Sequence, residues 1–415
     1  MSDVKQSAPS VSFDHHSVEY ASNWRTIYSD LRSACPVAHS DSYGGFFVLN
    51  RYEDVANALR DDDLFASRHE VDPDSPFGGI TIPPNPQVST PIEMDPPQYT
   101  PYRKLLNPWF APSRAATYEP FIRSVTTALL DDVIERGEMD FISDLTSPVP
   151  ALLTAKFLGL PLEDWRLYSD ASHHIVAFRP DTPEFQQAVA ELGAVLQRCM
   201  ITATQRREEP LDDLISAIVT AEVDGEVLSD QRVMEICTLL IVGGNDTTTG
   251  LLAHAFAWLS RNPDQRDRLI ADPSLIPLAV EEFLRYFSPT QGLARTVTRP
   301  TEISGCPIPE GARVLLSFAS ANSDPEIFDR PDDVVIDRFP NRHAAFGLGL
   351  HRCLGSNLAR LDIRIVLEEV LARIPDFQVD FDRARSYDSI GIVNGWDSMP
   401  VTFTPGPRIG SDFTL

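Results

Sequence analysis

Residues 346–355 read Phe346-Gly347-Leu348-Gly349-Leu350-His351-Arg352-Cys353-Leu354-Gly355, and this stretch decides the fold. It sets one cysteine between a glycine-hinged loop and a helix expected over Leu354 to Arg373, stopped by Pro375. A sulfur held there lies near the positive N-terminal end of the helix, which favours the thiolate. Gly347 and Gly349 permit positive φ, so backbone N–H groups can close on the sulfur, and Gly355 leaves room for a flat partner. A buried structural cysteine after a tight turn is the plain alternative. It suits a lone cysteine better than this whole array.

Outward from that loop, the bounds are simple. The chain has 415 residues, 43% hydrophobic and 23% charged, with a formal net charge of −25. This composition is ordinary for a globular protein. Its acidic excess speaks against nucleic-acid binding and against a basic membrane patch. Residues 1–12 are polar, with no basic region leading an apolar run, and read as a flexible N-terminus without a signal peptide or anchor. Five cysteines (Cys35, Cys199, Cys237, Cys306, Cys353) are widely spaced and odd in number, which argues against a disulfide framework or a CxxC metal site. A cytoplasmic enzyme is the expectation.

Asp41 to Asn50 reads as a hairpin feeding a short helix from Glu53 to Arg60. Prolines cluster over residues 71–101, around apolar Phe77, Ile80 and Ile82. That is the pattern of a long ordered loop with a binding role rather than a polar linker. Helical periodicity dominates from Tyr102 to about Asn262, with breaks at Pro148, Pro161, Pro180 and Pro210. Strands are expected at Ala294–Thr298, Thr301–Ile303, Arg313–Phe318, Ile390–Val393 and Val401–Phe403. The fold class is mainly α with a small β region.

One long helix is expected from Ser229 to Leu259, capped by Ser229-Asp230. Its centre, Val242-Gly243-Gly244-Asn245-Asp246-Thr247-Thr248-Thr249-Gly250, puts a polar knot in an apolar run. A membrane span would carry Asn245 and Asp246 at a cost. Three threonines and a glycine pair are also poor filling for a plain core helix. The glycine pair is a place for the helix to open or kink. A carboxylate beside a hydroxyl at such an opening can relay protons. Further on, Glu282 and Arg285 share a helix face, three residues apart, among apolar neighbours that suggest partial burial.

Taken together, these segments resemble the cytochrome P450 superfamily. The cysteine loop matches Phe-Gly-x-Gly-x-His-x-Cys-x-Gly-x-x-x-Ala through Ala359, the central helix matches Gly-Gly-x-Asp-Thr, and residues 282–285 match Glu-x-x-Arg. The resemblance implies a single domain over residues 1–415, with haem b (iron protoporphyrin IX) between the long central helix and the Cys-loop helix. It makes Cys353 the axial iron ligand, with Phe346 beside it. Thr247 becomes the hydrogen-bond partner of dioxygen and Asp246 the proton supplier. Glu282, Arg285 and Arg338 form a structural triad. Arg103, Arg295 and His343 fall to the haem propionates, joined by Tyr99 where relatives often carry His.

The C-terminal half looks most like the soluble, camphor-hydroxylating bacterial branch. That likeness places Leu239, Val242, Gly243, Leu293, Ile392 and Val393 around a distal pocket, with residues 71–97 as its lid. An apolar, terpenoid-like substrate is implied, along with O2 and electrons from a separate iron–sulfur ferredoxin with its NAD(P)H-dependent reductase. Arg103, Lys104, Arg342, Arg352, Arg360 and Arg364 make a basic patch for that partner. No nucleic acid or membrane partner is implied. Epoxidation, desaturation or coupling, and a haem carrier or sensor without turnover, remain open beside C–H hydroxylation.

Overall fold

The central helix runs from Asp230 to Arg261, 32 residues, and the Ser229 hydroxyl accepts from the Arg232 amide at its start. A helix apolar on most sides belongs in a membrane or in the core of a large protein. By length and composition it is the one helix among the described residues able to cross a bilayer. It packs instead against helices Pro148–Leu158, Trp165–Ala177, Pro183–Glu208 and Ser356–Arg373. Ile236, Cys237, Ile241, Leu252, Phe256 and Leu259 are fully buried there. The structure, a computed structural model, describes residues 9–414 except 73, 86 and 181.

Residues 1–8 of the expected flexible N-terminus lie outside the described residues. Ser10–Val11, however, is not loose: it pairs in parallel with Val37–Ser40. The six-stranded sheet runs in the order Ser10–Val11, Val37–Ser40, Phe46–Leu49, Arg313–Leu316, Leu293–Val297, Phe65–Ala66. The hairpin pairs Val37 with Leu49, and the short helix that it feeds spans Tyr52–Ala58.

Residues 390–393 do not form the expected strand. Val393 makes one isolated bridge to Thr290, and the strands are Trp396–Ser398 and Pro400–Thr402. The segment docks instead as a loop, with Asn394 N–H donating to Pro289 O and Gln291 N–H to Ile392 O. Short strands at Glu138–Asp140 and Cys306–Ile308 were not anticipated. Three residues are too few for a period-two pattern to register.

Between Phe65–Ala66 and helix Tyr99–Leu106 the described residues contain no helix or strand. The proline-rich segment, whose Pro73 and Pro86 lie outside the described residues, is still built around a buried hub. The Glu93 carboxylate accepts from Ile80 N (2.9 Å) and Ser89 N (2.8 Å) and sits 3.2 Å from His69 Nδ1. Thr90 Oγ1 donates to Glu235 on the central helix at 2.6 Å. These bonds give the loop a fixed shape that its prolines alone do not specify.

Glu282 and Arg285 lie on helix Ile276–Phe287, and neither side chain is exposed at all. Arg285 forks onto both Glu282 oxygens at 2.8 Å and donates to the carbonyls of Asn322, Pro331 and Asp333. Arg338 completes the triad at 2.9 Å from Glu282 Oε2. Burial this deep is tolerated because nearly every donor and acceptor is matched.

Candidate active site

Cys353 occupies the loop that the sequence points to. Gly347 and Gly349 have φ of 64° and 70°, and a Cβ at Gly349 would collide with the Leu59 carbonyl. The Cys353 amide donates to Phe346 O at 2.8 Å, folding the loop back on itself. The helix begins at Ser356, two residues later than expected, with Gly355 as its N-cap. No atom lies within 4 Å of where a Gly355 Cβ would stand, so the space beside it is open.

The sulfur is accessible, yet it lies inside the protein. It opens onto a cavity of about 410 Å³ between the central helix and the Cys-loop helix. Burial pushes the thiol pKa up, and the Gly355 amide with Arg103, Arg352 and Arg360 offsets this only in part. In the protein alone, desolvation therefore outweighs the helix end, contrary to the sequence expectation. A cation bound at the sulfur reverses that balance.

The cavity brings together Cys353, Phe346, Arg103, Arg295 and Tyr99 with Leu239, Val242, Gly243, Leu293, Ile392 and Val393. It also draws on Ile80, Asn85, Ser89 and Ile92 of the proline-rich loop, and on Ile175 and Val176. Two expected contacts are not made as the sequence implied. His343 is absent from the described lining; its Nε2 bonds Glu281 at 3.0 Å and its Nδ1 accepts the Ala345 amide. Burial raises the Glu281 carboxyl, but Arg360 and His343 outweigh it and hold the pKa at about 2. His343 is thus engaged by Glu281 and its own loop backbone beside the Cys loop. Tyr99 does line the cavity, but its hydroxyl proton is already given to Leu350 O at 2.8 Å.

The residue that sequence reasoning passed over is His351, although it stands in the quoted motif. It lines the cavity, its ring 4.5 Å from that of Tyr99, and neither ring nitrogen has a partner. Burial, then the charges of Arg295 and Arg103, pull its pKa down to about 3. Arg295 is 3% exposed, and among the described residues its guanidinium bonds only to its neighbour's carbonyl, Ala294 O. Burial pulls its pKa down to about 10. Two guanidinium groups and an orphaned imidazole around the one cavity, with open space beside Gly355, fit a planar, dianionic group over Cys353.

The central helix passes unbroken through Gly243-Gly244, so the glycines do not open it. Gly243 has nothing within 4 Å of its would-be Cβ, and its contribution is clearance at the cavity wall. Thr247 lines the cavity, and its Oγ1 donates to Gly243 O at 3.0 Å. Asp246 is not among the described lining residues. It is buried on another side of the helix, where Tyr387 OH donates to its carboxylate at 2.8 Å and His173 Nδ1 lies 3.2 Å away. Of the basic patch, Arg360 is paired with Glu281 and Arg364 with Glu119 and Glu368. Lys104, Arg342 and Arg352 are exposed.

A family model described as Cytochrome P450 matches residues 163–388. The chain is 36% identical over 390 residues to a steroid C26-monooxygenase of Mycobacterium tuberculosis, covering 93% of this chain and 95% of the relative. It is 37% identical over 388 residues to an erythromycin C-12 hydroxylase of Saccharopolyspora erythraea, covering 91% and 94%. Among solved structures, cytochrome P450 CYP268A2 of Mycobacterium marinum in complex with pseudoionone superposes with a TM-score of 0.87 at 29% identity, covering 95% of this chain and 99% of that one.

Proposed function

The chain belongs to the cytochrome P450 family and is a P450 monooxygenase carrying iron protoporphyrin IX, and from that premise we propose that it oxidises a C–H bond of an uncharged, largely apolar substrate. The observation that carries this reading is one cavity in which Cys353, the anion-receptive set Arg103, Arg295 and His351, and Thr247 all meet an apolar wall. Cys353 would ligate the iron, while Arg103, Arg295 and His351 would hold the propionates. The bound group supplies dioxygen binding and O–O cleavage.

The chain's own residues do the rest. Leu239, Val242, Ile392 and Val393 orient the substrate by shape and keep bulk water out. Thr247, at the cavity wall, would be the hydroxyl through which protons pass, and Asp246 the carboxylate that resupplies it. Asn85 and Ser89 add uncharged hydrogen-bonding groups to the wall. They favour a substrate with a hydroxyl or carbonyl on an apolar frame over a carboxylate. The relatives named for steroid and erythromycin oxidation support a bulky substrate; a terpenoid fits the same wall. Electrons come from a separate iron–sulfur ferredoxin with an NAD(P)H-dependent reductase, guided by Lys104, Arg342 and Arg352. We read residues 1–415 as one domain, and its place as the cytoplasm.

The test is a spin-state titration of the ferric holoprotein with steroids, terpenoids and their carboxylated counterparts. A low-to-high-spin shift with the uncharged members supports the reading. A shift confined to carboxylates refutes the uncharged-substrate assignment.

A further inference from the structure

Two loops from distant parts of the chain reach the cavity, one with Ile80 and Thr81, the other with Ile392 and Val393. Both are held by a pair of histidines that no motif announces and that are not among the described lining residues. His15 Nε2 lies 2.9 Å and His16 Nε2 3.0 Å from one acceptor, the Ile82 carbonyl. A carbonyl only accepts, so each Nε2 carries the hydrogen, and His16 Nδ1 is left to accept from the Ser389 hydroxyl at 2.9 Å. Both histidines are 3% exposed, and their rings lie 4.3 Å apart. A Cβ at Gly391 would fall 2.6 Å from His16 Nδ1 and 2.9 Å from His15 O, so the second loop comes as near as a glycine allows. The segment that carries the histidines is itself fastened. Ser10–Val11 pairs with Val37–Ser40, Ser40 Oγ donates to Phe13 O at 2.6 Å, and the Ser17 side chain caps helix Val18–Ala34. Phe13, Ile82, Ile390 and Val393 belong to one buried apolar cluster, with Val242 and Ile392 packed against it.

We propose that His16 is a positioning residue for substrate selection: its ring braces the two loops at a fixed spacing, with His15 as a second hold on Ile82, and that spacing sets how well a bulky ligand fits the cavity. The proposal rests on the reading of residues 80–81 and 392–393 as substrate-contacting. An imidazole is a short, rigid spacer with a donor at one end and an acceptor at the other. That matches a carbonyl on one loop and a hydroxyl on the other. Burial, then its neighbour His16, lowers the His15 pKa well below 6.5 and keeps that ring neutral. A wall fixed before binding asks a ligand for less ordering than a wall the ligand must itself fix. A small ligand that touches only the iron is indifferent to this, whereas a bulky one is not.

The experiment titrates the ferric holoprotein with imidazole and with clotrimazole, following the Soret band, in the parent, His16→Leu, His16→Gln and Gly391→Ala. Both probes ligate haem iron through an azole nitrogen, but only clotrimazole also fills the cavity. Haem content and the urea midpoint are measured alongside. In His16→Leu, which loses both bonds, the clotrimazole Kd is expected to rise about tenfold while the imidazole Kd stays within about twofold of the parent's. His16→Gln keeps a donor for Ile82 O and is expected to lose only about threefold. Gly391→Ala pushes the second loop off the histidine and should change the ratio of the two constants in the same direction as His16→Leu. If His16→Leu does not take up haem, the other two variants carry the test. A lowered urea midpoint with an unchanged ratio, or tighter clotrimazole binding, in whichever variants fold, shows a merely structural histidine and overturns the proposal. The reading beneath it fails separately. Should the parent bind imidazole but give no shift with clotrimazole, the apolar cavity itself is refuted.

Discussion

Replacing Arg285 by methionine keeps most of the side-chain volume and removes the charge, which isolates what its hydrogen bonds contribute. In the native protein it makes two bonds to Glu282 and one each to the carbonyls of Asn322, Pro331 and Asp333, in a site with no solvent exposure. Each carbonyl left without a donor costs about 1–3 kcal/mol. Separating a buried ion pair costs about 3–5 kcal/mol. Glu282 keeps Arg338, Asn341 and the Val335 amide, so the lower end of each range applies and the total is about 6 kcal/mol. That is much of the roughly 5–15 kcal/mol that holds a domain together. With a denaturant slope of about 3 kcal/mol per molar, the urea midpoint of Arg285→Met falls by about 2 M. Arg338→Met, whose side chain is 11% exposed, loses less because water reaches the groups it leaves. An Arg285→Met midpoint within roughly 0.3 M of the parent, or a larger loss in Arg338→Met, would refute this reasoning.

Three further outcomes are expected. Thr247→Ala retains haem and the substrate spin shift, but product formed per NAD(P)H falls by about tenfold or more as electrons are diverted to peroxide; unchanged coupling removes Thr247 from the proton path. His351→Leu releases haem to an acceptor protein about tenfold faster or more, the worth of a hydrogen bond to a charged group, whereas His343→Leu lowers stability without that effect; equal haem loss in the two variants overturns the assignment. His254 accepts the Trp396 indole N–H at 3.1 Å, and burial lowers its pKa from 6.5 to about 4. A base whose folded pKa is depressed is fully stabilising above pH 6.5 and loses that contribution as pH falls towards about 4. Urea titrations across this window should show stability falling with acid in the parent and falling less in His254→Gln.

Much of the site was legible because its chemistry is local. Gly347 and Gly349 ahead of Cys353 take positive φ, the Ser229 cap and the apolar run fix the central helix, and Glu282 and Arg285 meet across one helical turn. Those relations are settled within a few residues, and periodicity and spacing report them. His351 belonged with them, two residues before the ligand, and its place in the motif was the available signal. His343 misled because a histidine near the loop has the right chemistry on either side of it, and sequence does not say which side chain faces inward.

What the sequence by itself determined was the family, the cysteine, the central helix and the buried triad. Only the tertiary structure decided which way each polar group faces. Asp246 and Thr247 are adjacent in sequence, yet about 100° of helical rotation sends one to His173 and Tyr387 and the other to the cavity. The partners that hold Asp246 come from residues 173 and 387, more than 70 positions away in either direction. Contacts of that kind leave no periodic trace, because they exist only once burial has brought distant segments of the chain against the same helix.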